Sequence, residues 1–291
     1  MNKAIIFGSN GQDGIYLTRL LEQQNVEVIS ISRKNAMYIG DVSDFDFVSK
    51  IIKKYNPQYI FHLAANSSTS HNYLFENHKT ICDGTLNILE AVRLYNIGCK
   101  IFLSGSAMQF VNDGTPIDEN TSFDPSSAYS IARIHSVYAG RYYRNKFNLR
   151  VYVGYFFNHD SELRDERHVN QKIAQTVKRI YAGSKEKLII GNLDVKKEFN
   201  YAGDFVNAIW ILINQDKVLE AVIGSGETYS IKAWTEYCFS KYNLNWEEHV
   251  QINQTFIPEY KSLCSNPTLI KTLGWKPKIN FHQLANLMLN L

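Results

Sequence analysis

Three glycines spaced three apart, Gly8, Gly11 and Gly14, carry the first chemistry legible in this sequence. An apolar run from Lys3 to Phe7 leads into them, and Ile15, Leu17, Leu20 and Leu21 follow at helical spacing. In such a strand, loop and helix the first glycine permits a tight turn and the second lets backbone N–H groups approach a pyrophosphate. The third lets the helix pack close to the sheet, with the phosphates at its positive N-terminus. An ordinary glycine-rich turn has the same composition; the strand before and the helix after favour dinucleotide binding. A second constellation is Tyr129 with Arg133, at i and i+4 on a helix that Ser126-Ser127 would cap near Ala128. A cation beside a phenol stabilises tyrosinate and makes the group a workable proton donor or acceptor. The third is Ser32-Arg33-Lys34, where a dinucleotide fold meets the adenine ribose. An acid there serves the 2′-hydroxyl of NAD; two cations suit a 2′-phosphate, which favours NADP(H) with NAD(H) as the alternative.

Around these residues the chain alternates strands and helices. Val26 to Ile31 reads as a second strand and Met37 to Gly40, before Asp41-Val42, as a short third. Phe45, Phe47, Val48, Ile51 and Ile52 mark a helix that Pro57 ends, and Tyr59 to Ala65 is a fourth strand running into small residues. A long helix is expected from about Glu76 to Tyr95, then a fifth strand from Cys99 to Leu103 that runs into Ser104-Gly105-Ser106-Ala107-Met108. Five strands alternating with helices predict an α/β fold, a Rossmann-type doubly wound parallel sheet with ligands at its carboxyl edge. Val151 to Phe156 continues the pattern, Ala221 to Ile223 would return to the sheet, and Leu269 to Leu273 and Leu284 to Leu291 close the chain as helices. The division expected is a cofactor domain over residues 1–157 and a smaller substrate lobe over 158–291, some segments of which return to the first.

The chain has 291 residues, 45% of them hydrophobic, enough for a large core, and a net charge of +3 with scattered cations. That balance argues against nucleic-acid or membrane-surface partners. Cys82, Cys99, Cys238 and Cys264 have no metal-like spacing and the eight histidines no ligand pairing, so no metal is expected. With no leader-like or spanning apolar stretch, the expectation is a cytoplasmic protein. His62 reads as a core or strand-edge histidine.

The sequence resembles the extended short-chain dehydrogenase/reductase superfamily, and within it the group of GDP-mannose 4,6-dehydratases and GDP-4-keto-6-deoxy-mannose reductases. The resemblance runs nearly end to end through Gly8-Ser9-Asn10-Gly11-Gln12-Asp13-Gly14, Leu63-Ala64-Ala65-Asn66-Ser67, Asp83-Gly84-Thr85-Leu86 and Phe157-Asn158-His159-Asp160-Ser161. It continues through Gly191 to Glu198, Gly226 to Ser230 and Leu273-Gly274-Trp275-Lys276-Pro277-Lys278. It implies cofactor contacts from Gly8, Asn10, Gly11, Gln12, Asp13 and Gly14, from Arg33, Asp41 and Val42, from Leu63, Ala64 and Ala65, and from Tyr129, Arg133 and Phe156. It implies substrate contacts from Ser67, Ser106, Asn158, Val169, Lys172 and Lys197.

The catalytic pattern of the group is Thr or Ser, a Glu two residues later, then Tyr-x-x-x-Lys. Ser106 and Tyr129 match, Arg133 stands at the Lys position, and the Glu falls on Met108. That Glu takes up the proton next to a 4-keto group during dehydration, which a thioether cannot do, whereas hydride transfer at C4 needs only Ser106, Tyr129 and a reduced nicotinamide. The expectation is therefore an NADPH-dependent reductase of a GDP-linked 4-keto-6-deoxy sugar. The alternatives are a 4-epimerase, a dehydratase, or a catalytically weak partner of a dehydratase. Lys197 replaces a group arginine, turning a bidentate contact with the diphosphate into a point charge, and a second group arginine falls on Ile257. A homodimer or homotetramer is implied, built from the helices around 76–95 and 128–146, with Tyr138, Tyr142 and Tyr143 beyond what one sheet-facing stripe requires.

Overall fold

A computed structural model describes every residue, Met1–Leu291. The first strand, β1 (Asn2–Phe7), explains the architecture: Ala4, Ile5, Ile6 and Phe7 are all buried, with Ile5 and Phe7 packing to one side and Ala4 and Ile6 to the other. A strand apolar on both faces requires helices on both faces. Those helices are α1 (Gln12–Gln23) and α6 (Ala202–Ile213) on one side, and α2 (Phe45–Tyr55), α3 (Gly84–Tyr95) and α4 (Ala128–Phe147) on the other. In the sheet β1 is joined by β2 (Val26–Ser32), β3 (Tyr38–Ile39), β4 (Tyr59–His62), β5 (Lys100–Ser106), β6 (Arg150–Phe156) and β7 (Glu220–Ile223). The order is β7-β6-β5-β4-β1-β2-β3, parallel throughout, so it reverses between β1 and β4 and opens a crevice at their carboxyl ends.

Caps fall where the side chains predict them. Asp44 accepts a hydrogen bond from Phe47 N (3.1 Å) at the start of α2, and Ser127 does so from Ser130 N (3.1 Å) at the start of α4. The expected long helix before β5 is interrupted: Leu74–Asn77 is α-helical, His78–Asp83 forms a π-helical stretch, and α3 begins at Gly84. A Cβ at Gly84 would lie 2.8 Å from Val42 Cγ1, so the glycine lets the helix cross close to the sheet edge.

After β6 the chain builds a lobe around α5 (Val169–Tyr181), α7 (Ile231–Ser240) and α8 (Phe281–Leu289), whose core includes Trp234, Phe199 and Phe239. Between α5 and α7 it returns to the sheet as α6 and β7. Trp275 returns again, buried among the α6 residues with its indole N–H donated to Asp204 O at 2.9 Å. The Leu273-Gly274-Trp275 motif is thus a clasp between the lobe and the sheet. No helix is long and apolar enough to cross a membrane.

Candidate active site

At the carboxyl edge of the sheet two cavities, of about 540 and 290 Å³, share Gly8, Gly11, Leu63 and Ala65 on their walls. Their common wall is the phosphate loop. Gly8 has φ +91°, and a Cβ there would lie 2.6 Å from Ala64 N; a Cβ on Gly14 would lie 2.4 Å from Gly8 O. A Cβ on Gly11 would meet only Gly8 O, at 3.5 Å, so its backbone is open to the cleft. This is the cradle a pyrophosphate needs, ahead of α1. Asn10, Arg33, Asp41, Val42 and Ala64 line the smaller cavity, which has room for an adenosine. Arg33 is exposed at its rim and paired with Glu76 at 3.1 Å. Gln12, Asp13 and Phe156 line the larger cavity. The residues present therefore fit a dinucleotide laid across the loop.

Ser106, Met108, Tyr129 and Arg133 all line the larger cavity. Strand β5 delivers Ser106, whose Oγ accepts from Met108 N at 3.2 Å and so caps the turn that turns Met108 inward. The first turn of α4 delivers Tyr129 and, one turn on, Arg133, both buried. The Arg133 guanidinium lies over the Tyr129 ring, 5.1 Å from its centroid, and donates to the carbonyl of Ser104 and, at 2.8 Å, to Ser104 Oγ. Its Nε and the Asn158 Oδ1 are buried without a protein partner on residues that line this cavity. His62 lies outside both cavities, and burial with the nearby Arg133 charge pushes its pKa down to about 3, so it is a neutral core histidine.

The far end of the cavity is cationic. Ser67, Asn158, Val169 and Lys197 line the cavity, together with Arg164, Arg167 and His168, which the sequence shows only as a polar loop. Arg164 pairs with Asp160 at 3.3 Å, and Asp160 also accepts from Asn170 Nδ2 at 2.6 Å. Burial and the Arg164 charge push His168 down to about 4, leaving it neutral, and burial lowers the Lys197 pKa from its ordinary value. Lys197 is held by its neighbour Glu198, a fully buried carboxylate that accepts from Ser265 N (2.6 Å), Ser225 N (2.7 Å) and Asn200 Nδ2 (2.9 Å). Periodicity gives no warning of Glu198, because its acceptors are filled by segments distant in sequence.

Lys172 lines neither cavity; its ammonium donates to Ile189 O at 2.7 Å. Ile173, Ala174 and Val177 turn the apolar face of α5 into the lobe core, which leaves Lys172 on the outer side beside the strand Leu188–Ile190.

Compared with known proteins, residues 5–288 match the family model described as GDP-mannose 4,6 dehydratase. The chain belongs to the GDP-mannose 4,6 dehydratase family. GDP-mannose 4,6 dehydratase 1 of Arabidopsis thaliana is 29% identical to it over 319 residues, spanning 99% of this chain and 88% of the relative. Among solved structures, UDP-glucose 4-epimerase of Thermus thermophilus, in complex with NAD, superposes with a TM-score of 0.85 at 18% identity, covering 99% and 98% of the two chains. RMD from Pseudomonas aeruginosa, complexed with NADPH, superposes at 0.86 with 19% identity, covering 100% and 98%. Those two likenesses show the fold. The protein is thus a nucleotide-sugar enzyme of the extended short-chain dehydrogenase/reductase type. The carboxylates that line the larger cavity are those of Asp13, Asp160 and Glu259, and Met108 lines it beside Ser106.

Proposed function

We propose that the protein reduces the 4-keto group of a nucleotide-linked 4-keto-6-deoxy sugar, GDP-linked, at the expense of NADPH. The observation that carries this reading is Met108, a thioether at the position where elimination needs a base. Four of the other acids do not replace it. Asp13 is engaged by His159 at 3.0 Å and Asp160 by Arg164 and Asn170. Asp113 turns back on Thr115 at 2.6 Å, and Glu119 accepts from Val222 N at 2.7 Å; neither lines the cavity.

When bound, the reduced nicotinamide supplies the hydride to C4. The hydroxyls of Ser106 and Tyr129 hold the carbonyl oxygen, and Tyr129 transfers its proton to that oxygen as the hydride reaches carbon. Arg133, fixed by its bonds to Ser104, lays positive charge over the tyrosinate that results. Lys197, Arg164 and Arg167 hold the diphosphate of the substrate. Arg33 takes the 2′-phosphate of the cofactor in exchange for Glu76.

The test offers purified protein and NADPH to a panel of freshly generated nucleotide 4-keto-6-deoxy sugars, following nicotinamide absorbance and product stereochemistry. Net loss of NADPH is expected, which also separates reduction from epimerisation. The second reading, a dehydratase, is favoured by the Arabidopsis relative and has Glu259 available as a carboxylate on the cavity wall. Conversion of GDP-mannose to its 4-keto-6-deoxy form at an ordinary enzymatic rate would establish it and overturn the reductase. Met108→Glu alone is expected to restore little elimination, because Arg133 and Lys197 also depart from the family pattern. We further propose a homodimer through α3 and α4, where Leu86, Leu94, Ile131, Tyr138 and Tyr142 are exposed; light scattering at micromolar concentration checks it.

A further inference from the structure

We propose that Asp13 and His159 form a charge-compensating pair that makes dinucleotide affinity fall as pH rises, because His159 neutralises a carboxylate that the fold has set beside the pyrophosphate. The inference rests on the dinucleotide reading of the phosphate loop. Asp13 lies in the first turn of α1 and lines the same cavity wall as Gly8, Gly11 and Gly14. An acid there suits the helix dipole, yet it carries the same sign as the phosphates that the loop is shaped to receive.

The protonation state of the pair follows from its acceptors. His159 Nε2 lies 3.0 and 3.1 Å from the two carboxylate oxygens of Asp13, and Nδ1 lies 2.8 Å from Phe157 O. A carboxylate and a carbonyl both only accept, so both ring nitrogens donate and the ring is an imidazolium. Its position is fixed: one face stacks on Phe205 from α6 at 4.3 Å, and Phe156 from β6 meets it edge-on at 5.3 Å. The charged groups facing it are Asp13 from α1 and Arg164 from the loop before α5, while Gln12 donates to the His159 carbonyl at 3.1 Å. Burial opposes the charge on His159, but the Asp13 carboxylate outweighs it and holds the imidazole pKa above its ordinary value. Asp13 is held below its own against the same burial.

Below the His159 pKa the pair is neutral and the pyrophosphate meets only the N–H groups of the loop. Above it Asp13 is an unbalanced negative charge against the phosphates. Bound dinucleotide therefore favours the imidazolium, and by linkage each unit by which binding raises that pKa is a tenfold change in affinity between the two pH limits.

The experiment is isothermal calorimetry of NADH, whose pyrophosphate does not titrate between pH 6 and 9, against wild type, Asp13→Asn and His159→Gln. Wild type is expected to weaken by about tenfold across that range and to take up protons on binding. Asp13→Asn should bind as tightly as wild type at pH 6 and stay flat; His159→Gln should bind as weakly as wild type at pH 9 and stay flat. A pair that only braces the loop predicts instead that both variants lose affinity alike, and that result, or a flat wild-type profile, overturns the inference. If thermal melting shows that His159→Gln is unfolded, the flat profile and retained affinity of Asp13→Asn decide alone. Absence of NADH and NADPH binding at every pH would sink the dinucleotide reading itself, an outcome distinct from a flat profile.

Discussion

At the phosphate loop the wall of the cleft is backbone: Gly8 has no room for a Cβ beside Ala64, and Gly11 keeps the amide edge open. At the lobe end the wall is buried charge, with Lys197 and Arg164 balanced against Asp160 and anchored by Glu198. The two ends respond differently to substitution. A backbone cradle is a steric solution that admits glycine and little else. A charged pocket can be retuned one side chain at a time, since replacing a forked guanidinium by an ammonium keeps the sign and changes the geometry. Three departures from the family pattern, Met108, Arg133 and Lys197, line the cavity on the chemistry and substrate side, while Gly8, Gly11 and Gly14 keep the glycine spacing of the phosphate loop.

That contrast can be broken or sharpened in five ways. Tyr129→Phe removes the proton donor at the junction of the two ends and should cost about 10²–10⁴-fold in kcat while leaving NADPH affinity unchanged, measured by steady-state kinetics beside calorimetry. Glu220→Gln tests the scaffold that both ends share. This carboxylate at the start of β7 is paired with Arg141 (2.6 Å) and Arg144 (2.9 Å), and the loss expected in denaturant unfolding is about 3–5 kcal/mol, with both arginines left uncompensated. Burial opposes its charge, but hydrogen bonds from Arg141, Tyr155 and Arg144 hold its pKa down to about 2. Because the folded value is depressed, its contribution is present above the unfolded carboxylate range and fades as pH falls toward about 2; a wild-type acid titration should show a component that Glu220→Gln lacks.

Lys197→Met should raise the substrate KM by about ten- to a hundredfold without moving cofactor affinity, since it removes one charge-assisted contact. In wild type the lowered Lys197 pKa makes that KM rise at alkaline pH, as the ammonium deprotonates, and the variant should lose this limb. A matching loss of NADPH affinity would erase the distinction between the two ends. Arg33→Ala should weaken NADPH by about tenfold and NADH hardly at all; equal effects by calorimetry would remove the argument for the 2′-phosphate. The smallest change belongs to Lys172→Ala, bonded only to Ile189 O among protein groups and outside both cavities, where KM should move less than about twofold.

Local signals made the phosphate loop readable. The spacing of Gly8, Gly11 and Gly14, the two-sided apolar run of β1 and the Ser127 cap of α4 each act within a few residues, and each element forms where those signals put it. Ser106, Met108 and Tyr129 were legible because their strand end and helix start are fixed the same way. The π-helical stretch at His78–Asp83 left no such trace, and the place of Lys172 on α5, outside both cavities, is set by which face of the helix packs into the lobe core.

The sequence by itself determined the parallel sheet, the glycine cradle at its carboxyl edge and the exchange of a carboxylate for Met108, because each is a matter of residue type, period or steric allowance along one stretch of chain. Only the tertiary structure decided that Asp13 meets His159 146 residues away, that Glu198 gathers Ser265 from 67 residues away, and that Arg164 rather than Lys172 faces the cavity. The physical reason is that burial sets the strength of a charge and names its partner. Burial is a property of the packed chain, where the β6 exit, the phosphate loop and the lobe come within hydrogen-bonding distance of one another.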